Sequence, residues 1–196
     1  MSDNSTIRLG IIGSGSWATA LAKLCTNNLP TVHWWVRNPE TIEHILQFKH
    51  NPKYLQSAEF DTKKLVLSSD IEEIINASDY LIIAVPAAFI HEIFKNLDAS
   101  LFKGKKIISA VKGIIPEYNA IPARYFHKSF HIPYSDIGII CGPCHAEEVA
   151  LERLSYLTVG CDDVEVADQV ARVLSCRYIK VTVSEDLFGA EISAIL

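Results

Sequence analysis

The chain has no excess of basic residues: its 196 residues carry 18 Lys and Arg against 23 Asp and Glu, a net charge of −5. No basic tract is present either, which argues against a nucleic-acid partner. Long apolar runs are also missing. The longest, such as residues 80–85, fall well short of the ~20 residues that a membrane-spanning helix needs. Residues 1–6, MSDNST, are polar and read as a disordered tail rather than a signal peptide or anchor, which predicts a cytoplasmic protein. No repeat, low-complexity segment or flexible linker interrupts the chain, so one compact domain is expected. Cysteine is sparse and odd in number, with five residues (Cys25, Cys141, Cys144, Cys161 and Cys176) and no paired zinc spacing. A Cys-x-x-Cys such as Cys141 to Cys144 can mean redox or metal chemistry. Here it falls where a strand becomes a loop, without a second ligand pair, so reduced thiols are expected. The seven histidines form no HExxH or similar spacing, and no metal site is expected.

What is present alternates. Apolar strand patterns at 7–12, 32–36, 65–67, 80–85, 106–111, 137–141, 157–159 and 178–183 are separated by helical ones. The helical patterns run from the first turn through Cys25, then at 41–48, 71–75, 87–97, 120–127, 146–152, 164–174 and 186–196. Asp70 stands as an N-cap before the third of them. This order predicts an α/β fold, Rossmann-like and doubly wound, with a mostly parallel sheet. The expected organisation is a tail at 1–6, a dinucleotide-binding domain at 7–184, and the start of a further helix at 185–196. That last pattern stays apolar with neither a Gly cap nor a basic last turn. It predicts that the chain is the cofactor part of a longer protein.

The first strand breaks at Gly13-x-Gly15-x-x-Ala18 and resumes as a helix. In a dinucleotide fingerprint the first glycine permits the tight turn and the second lets the backbone approach a pyrophosphate. The small third residue lets helix and strand pack closely. The exposed amides and the dipole at the helix start attract the anion. The second strand ends in Arg37-Asn38-Pro39, with no carboxylate at its tip to hold ribose hydroxyls. Arg37 is either a solvated cation or a ligand for a 2′-phosphate, and the fingerprint upstream favours the second. NADP(H) is then accepted at least as well as NAD(H).

Three more strand ends carry candidates. Pro86 opens a helix beside Ala87 and Ala88, either as a rim over the dinucleotide or as an ordinary first-turn proline. Lys112, between Val111 and Gly113, faces the crevice where the phosphates lie. The loop at Gly142-Pro143-Cys144-His145 offers amides and a thiol to the same crevice. His145 invites an acid–base role, but no orienting carboxylate can be named for it, and it reads as a loop residue contacting ligand or partner.

Taken in order, GSGSWATALA, WWVRNPE, NPKYL, AVPA, SAVKGI, GPCHAEEVA and GAEISAIL resemble the NAD(P)-dependent glycerol-3-phosphate dehydrogenases of the bacterial type, collinearly from residue 7 to residue 196. The resemblance implies reversible hydride transfer between dihydroxyacetone phosphate and sn-glycerol 3-phosphate, at the entry to glycerophospholipid synthesis. By the same resemblance Ser16, Trp17, Arg37 and Ala146 contact the cofactor. Lys112 touches cofactor and substrate, and Gly142 and Cys144 are substrate-loop positions. Ala18 stands for the usual third glycine, and Cys144 and His145 stand where the family has a hydroxyl residue and an aromatic, which weakens an expected hydrogen bond to substrate. The family's helix continues into a Lys-Asn pair whose lysine moves the proton, so no catalytic residue is expected within these 196 residues. The helical substrate domain is likewise expected beyond Leu196, in an enzyme that is a homodimer. Two other readings compete. A hydroxyacyl or 6-phosphogluconate type of dehydrogenase shares the fingerprint but not NPKYL, SAVKGI and GPCHAEEVA together. A stand-alone NAD(P)(H)-binding sensor needs no catalytic lysine.

Overall fold

The computed structural model describes residues 7–194. The expected tail at 1–6 and the last two positions of the final helical pattern lie outside the described residues. Eight strands form one sheet in the order β3-β2-β1-β4-β5-β6-β7-β8. They are β1 (Leu9–Ile12), β2 (Val32–Trp35), β3 (Leu65–Ser68), β4 (Tyr80–Ile83), β5 (Lys106–Ser109), β6 (Ile137–Cys141), β7 (Ser155–Cys161) and β8 (Ile179–Ser184). The helices between them are α1 (Ser16–Cys25), α2 (Pro39–Phe48), α3 (Ile71–Asn76), α4 (Ala87–Phe94), α5 (Pro122–Phe130), α6 (Ala146–Ala150), α7 (Val164–Leu174) and α8 (Leu187–Ser193).

The central strands β1 and β4 are buried at every position because both faces of the sheet are covered. Ile11 lies level with Trp34 on one side and Ile82 on the other. One core unites Leu9, Ile11, Trp34, Ile82 and Ile108 with Leu21 of α1, Ile45 of α2 and Val170 of α7. The opposite core unites Ile12, Leu81, Ile83 and Ile107 with Ile74 of α3, Phe94 of α4, Phe126 of α5 and Leu187 of α8. In the second core Phe94 meets Phe126 edge-on at 5.2 Å. Such pairs contribute about 0.5–1.5 kcal/mol beyond their buried area.

The predicted doubly wound sheet is present, and β1 to β6 run parallel. β7 runs antiparallel to β6, and β8 runs parallel to β7. The connection between β6 and β7 carries the short α6, of five residues. Boundaries also shift. α5 begins at Pro122 rather than residue 120, with proline at its first turn, and ends at His131 in the left-handed region. The polar connection at 49–64 is not a solvated loop throughout: Asn51, Ala58 and Phe60 are buried, and Phe60 packs on the Trp34 ring at 5.5 Å.

α8 is tied to α5 by a buried acid. Glu191 is 1% exposed, and its Oε1 accepts from the Ala123 amide at 3.1 Å. Its Oε2 has no partner among the described residues. Burial pushes this carboxyl up to about 7, against the opposing pull of the Ala123 amide and the Arg124 charge.

Candidate functional site

The direction of winding reverses between β1 and β4, since β2 and β3 extend the sheet to one side of β1 and β4 to β6 to the other. Ligands of open α/β sheets bind outside the carboxyl ends of the strands at such a point. A cavity of about 380 Å³ lies there, bounded by the segments that follow β1, β4, β5 and β6.

The first segment is shaped by three carbonyls that turn inward. Gly13 has φ +133, and a Cβ there would stand 2.3 Å from the Ala84 carbonyl oxygen, so only glycine fits. Its own carbonyl accepts from the buried Trp34 indole Nε1 at 2.6 Å. The Ser14 carbonyl accepts from Asn51 Nδ2 at 3.3 Å. The Gly15 carbonyl accepts from the Thr19 amide at 2.9 Å and the Thr19 hydroxyl at 2.8 Å. In a planar trans peptide the N–H points opposite to the C=O, so the amides of Ser14, Gly15 and Ser16 face outward. Among the described residues nothing accepts from them or from the Trp17 amide. Gly15 caps α1 without a side chain, and a Cβ built on it meets nothing within 4 Å. The bare position therefore serves no contact inside the protein. Free amides, an open approach and a helix start together fit a pyrophosphate.

Of the residues singled out from sequence, Gly15, Ser16, Trp17, Pro86, Lys112, Gly142, Cys144 and Ala146 all line this cavity. Gly13 does not line it, because its role is to turn the chain beneath. Arg37 does not line it either. Trp35 pairs with Ile12, and Arg37 follows two residues beyond the end of that pairing. Arg37 is exposed and outside the cavity lining. His145 and Glu147 also line the cavity. The His145 amide donates to Glu148 Oε2 at 3.3 Å, and among the described residues no carboxylate orients its ring. Burial pushes both the Cys141 and the Cys144 thiols up, while the Lys112 charge pulls both down.

Three residues that hold the turn, Trp34, Thr19 and Asn51, were not singled out as functional from sequence. Asn51 is 1% exposed and also donates to Thr19 Oγ1 at 3.0 Å. Its Oδ1 accepts from the Lys53 and Tyr54 amides. The available signal was an asparagine ahead of a proline in a polar connection, which reads as turn chemistry and does not reveal a long-range tie.

Comparison with known proteins agrees with this geometry. The sequence profile of the family described as NAD-dependent glycerol-3-phosphate dehydrogenase N-terminus matches residues 8–167. A glycerol-3-phosphate dehydrogenase [NAD(P)+] of Staphylococcus carnosus is 30% identical over 190 residues, covering 96% of the chain and 57% of that protein. The solved glycerol-3-phosphate dehydrogenase of Plasmodium falciparum superposes with a TM-score of 0.82 at 27% identity, covering 95% of the chain and 54% of that structure. An imine reductase of Myxococcus stipitatus reaches a TM-score of 0.66 at 14% identity over 96% of the chain and 58% of its own, a likeness of fold alone. The chain thus spans a little over half the length of these relatives.

Proposed function

The chain belongs to the family of NAD-dependent glycerol-3-phosphate dehydrogenase N-terminal domains, and from that premise we propose that its cavity holds NAD(P)(H) for interconverting dihydroxyacetone phosphate and sn-glycerol 3-phosphate. The observation that carries this reading is the run of outward amides from Ser14 to Trp17 beside the open face of Gly15. When bound, the nicotinamide supplies or accepts the hydride. The chain's own residues bind and orient. Ser14 to Trp17 receive the pyrophosphate, and the exposed Arg37 past the end of β2 supplies the positive charge for a 2′-phosphate. Pro86, which has no amide hydrogen to solvate, and the buried Ala146 form the walls. Lys112 lies in the same cavity as Gly142 and Cys144, so its charge serves an anionic substrate as well as the cofactor. The Cys144 thiol, held protonated by burial, offers that substrate only a weak donor.

The test uses the two glycines, which act in opposite ways. Gly15→Val introduces a side chain at φ −77 into open space. Stability is expected to stay within about 0.5 kcal/mol, while NADPH binding weakens by roughly tenfold or more, about 1.4 kcal/mol per decade. Gly13→Ala meets the Ala84 carbonyl and is expected to lose more than about 1 kcal/mol of stability. Calorimetric titration together with thermal melting reads both. A Gly15→Val protein that binds NADPH as well as the parent places the pyrophosphate elsewhere.

A further inference from the structure

Five cysteines are free, but only two share a solvent-filled cavity. Cys25 and Cys161 are sealed in the core at 0% exposure, and burial pushes the Cys25 thiol up to about 12. Cys176 sits half-buried in a bridge with Ile179, away from both. Cys141 ends β6 and Cys144 follows three residues later, and both line the switch-point cavity. Between them Gly142 has φ +137, and the Cys144 amide donates back to the Gly142 carbonyl at 2.9 Å. Cys141 and Gly142 also line a smaller adjoining cavity of about 300 Å³, with Lys112, Pro143 and the end of α8. The segment therefore forms the wall between two spaces, with glycine at its left-handed position.

We propose that Cys141 and Cys144 are a redox-modification site: a low-molecular-weight disulfide such as glutathione disulfide converts them to an intrachain disulfide, which remodels the loop and lowers cofactor affinity. The effect on affinity rests on the function proposed above, and the formation of the bridge does not. The more exposed Cys141 thiolate attacks one sulfur of glutathione disulfide, forming a mixed disulfide and releasing one glutathione thiolate. The Cys144 thiolate then attacks the Cys141 sulfur and releases the second glutathione. The protein loses two electrons and two thiol protons, and one glutathione disulfide becomes two glutathiones. Bridged cysteines have Cα atoms about 4.4–6.8 Å apart, a spacing that a four-residue segment reaches by closing into a turn. Closure of that kind moves Gly142 and Cys144 in the cavity wall.

The thiolate is the nucleophile, and burial holds both thiols largely protonated at neutral pH. The bridge is therefore expected to form up to about tenfold faster at pH 8 than at pH 7, since each pH unit below the pKa changes the thiolate fraction by that factor. The test incubates the purified protein with glutathione disulfide and follows peptide mass and NADPH titration in parallel. The expected result is loss of two hydrogens from the peptide holding both cysteines, with no bound glutathione. NADPH affinity should fall roughly tenfold or more and return with dithiothreitol. Cys141→Ser and Cys144→Ser, each compared with itself before and after oxidant, should lose both responses. Retained glutathione on Cys141, two thiols that stay free, a bridge to Cys176, or a bridge that leaves NADPH affinity unchanged would each overturn the proposal. If the reduced protein fails to bind NADPH, the proposed function falls, while peptide mass still decides whether the bridge forms.

Discussion

Arg37 and Lys112 are both exposed cations, yet the fold places them differently with respect to the cavity. Arg37 stands past the end of β2, outside the cavity lining, and among the described residues no acid is paired with it. A charge-assisted contact between such an arginine and a phosphate contributes about 1.5–3 kcal/mol. Arg37→Ala is accordingly expected to weaken NADPH by about one to two orders of magnitude and to leave NADH nearly unchanged. Equal losses for the two cofactors in a titration would return Arg37 to the solvated surface. Lys112 lies inside the cavity wall, where its charge is felt by both Cys141 and Cys144. Lys112→Ala is expected to weaken NADPH binding by roughly tenfold or more with the melting temperature retained. Unchanged NADPH affinity in that variant would show that the cofactor is held without it. The difference between these two positions could not be read from the sequence, where each is a lysine or arginine just past a strand end. The lining of the cavity, which includes Lys112 and not Arg37, separates them.

At the scale of elements, the packing of α8 on α5 depends on the protonation of Glu191. Burial raises its folded pKa to about 7 from an ordinary 4.5, so the folded state holds a proton that the unfolded state has released between those values. The contribution to stability is complete below about pH 4.5 and is lost as pH rises through about 7. A shift of this size corresponds to on the order of 3 kcal/mol. Glu191→Gln keeps an acceptor for the Ala123 amide and cannot ionise. It is expected to gain stability relative to the parent at pH 8 and little at pH 5, read by denaturant unfolding at both values. A difference independent of pH would mean that the carboxyl does not titrate in this window. Element type was legible throughout, because buried strands and amphipathic helices leave different periodicities. Asp70 does cap α3, accepting from the Glu72 amide. The direction of β7 was not legible, since an apolar strand pattern reads the same in either sense, and element boundaries are where pattern reading is weakest. Nor was the Asn51 tie, because side-chain hydrogen bonds over 32 or 37 positions leave no periodic trace. Gly13 was legible because the backbone conformation itself demands glycine there, and Gly15 because its spacing from Gly13 leaves the helix start open to a ligand.

At the scale of the molecule, the cavity carries groups that bind charge and few that can deliver a proton. Reduction of a carbonyl by hydride leaves an alkoxide, and a positioned general acid is worth typically about 10²–10⁴ in rate. Burial raises the pKa values of Cys141 and Cys144, which makes each a poorer donor than an ordinary thiol. His145 reaches the cavity, but its ring is not oriented by any carboxylate among the described residues. Orientation of the substrate on the side away from the sheet would add several kcal/mol more, and the chain covers only 57% of the length of the Staphylococcus carnosus relative. These 196 residues are therefore expected to bind NADPH and to reduce dihydroxyacetone phosphate at least about 10²-fold more slowly than the glycerol-3-phosphate dehydrogenase of Staphylococcus carnosus. The decline in absorbance of the reduced nicotinamide, followed for both proteins at equal concentration, measures this directly. Comparable turnover would place the acid within these residues. Its loss in His145→Ala, with NADPH binding retained, would then identify the imidazole as the proton donor.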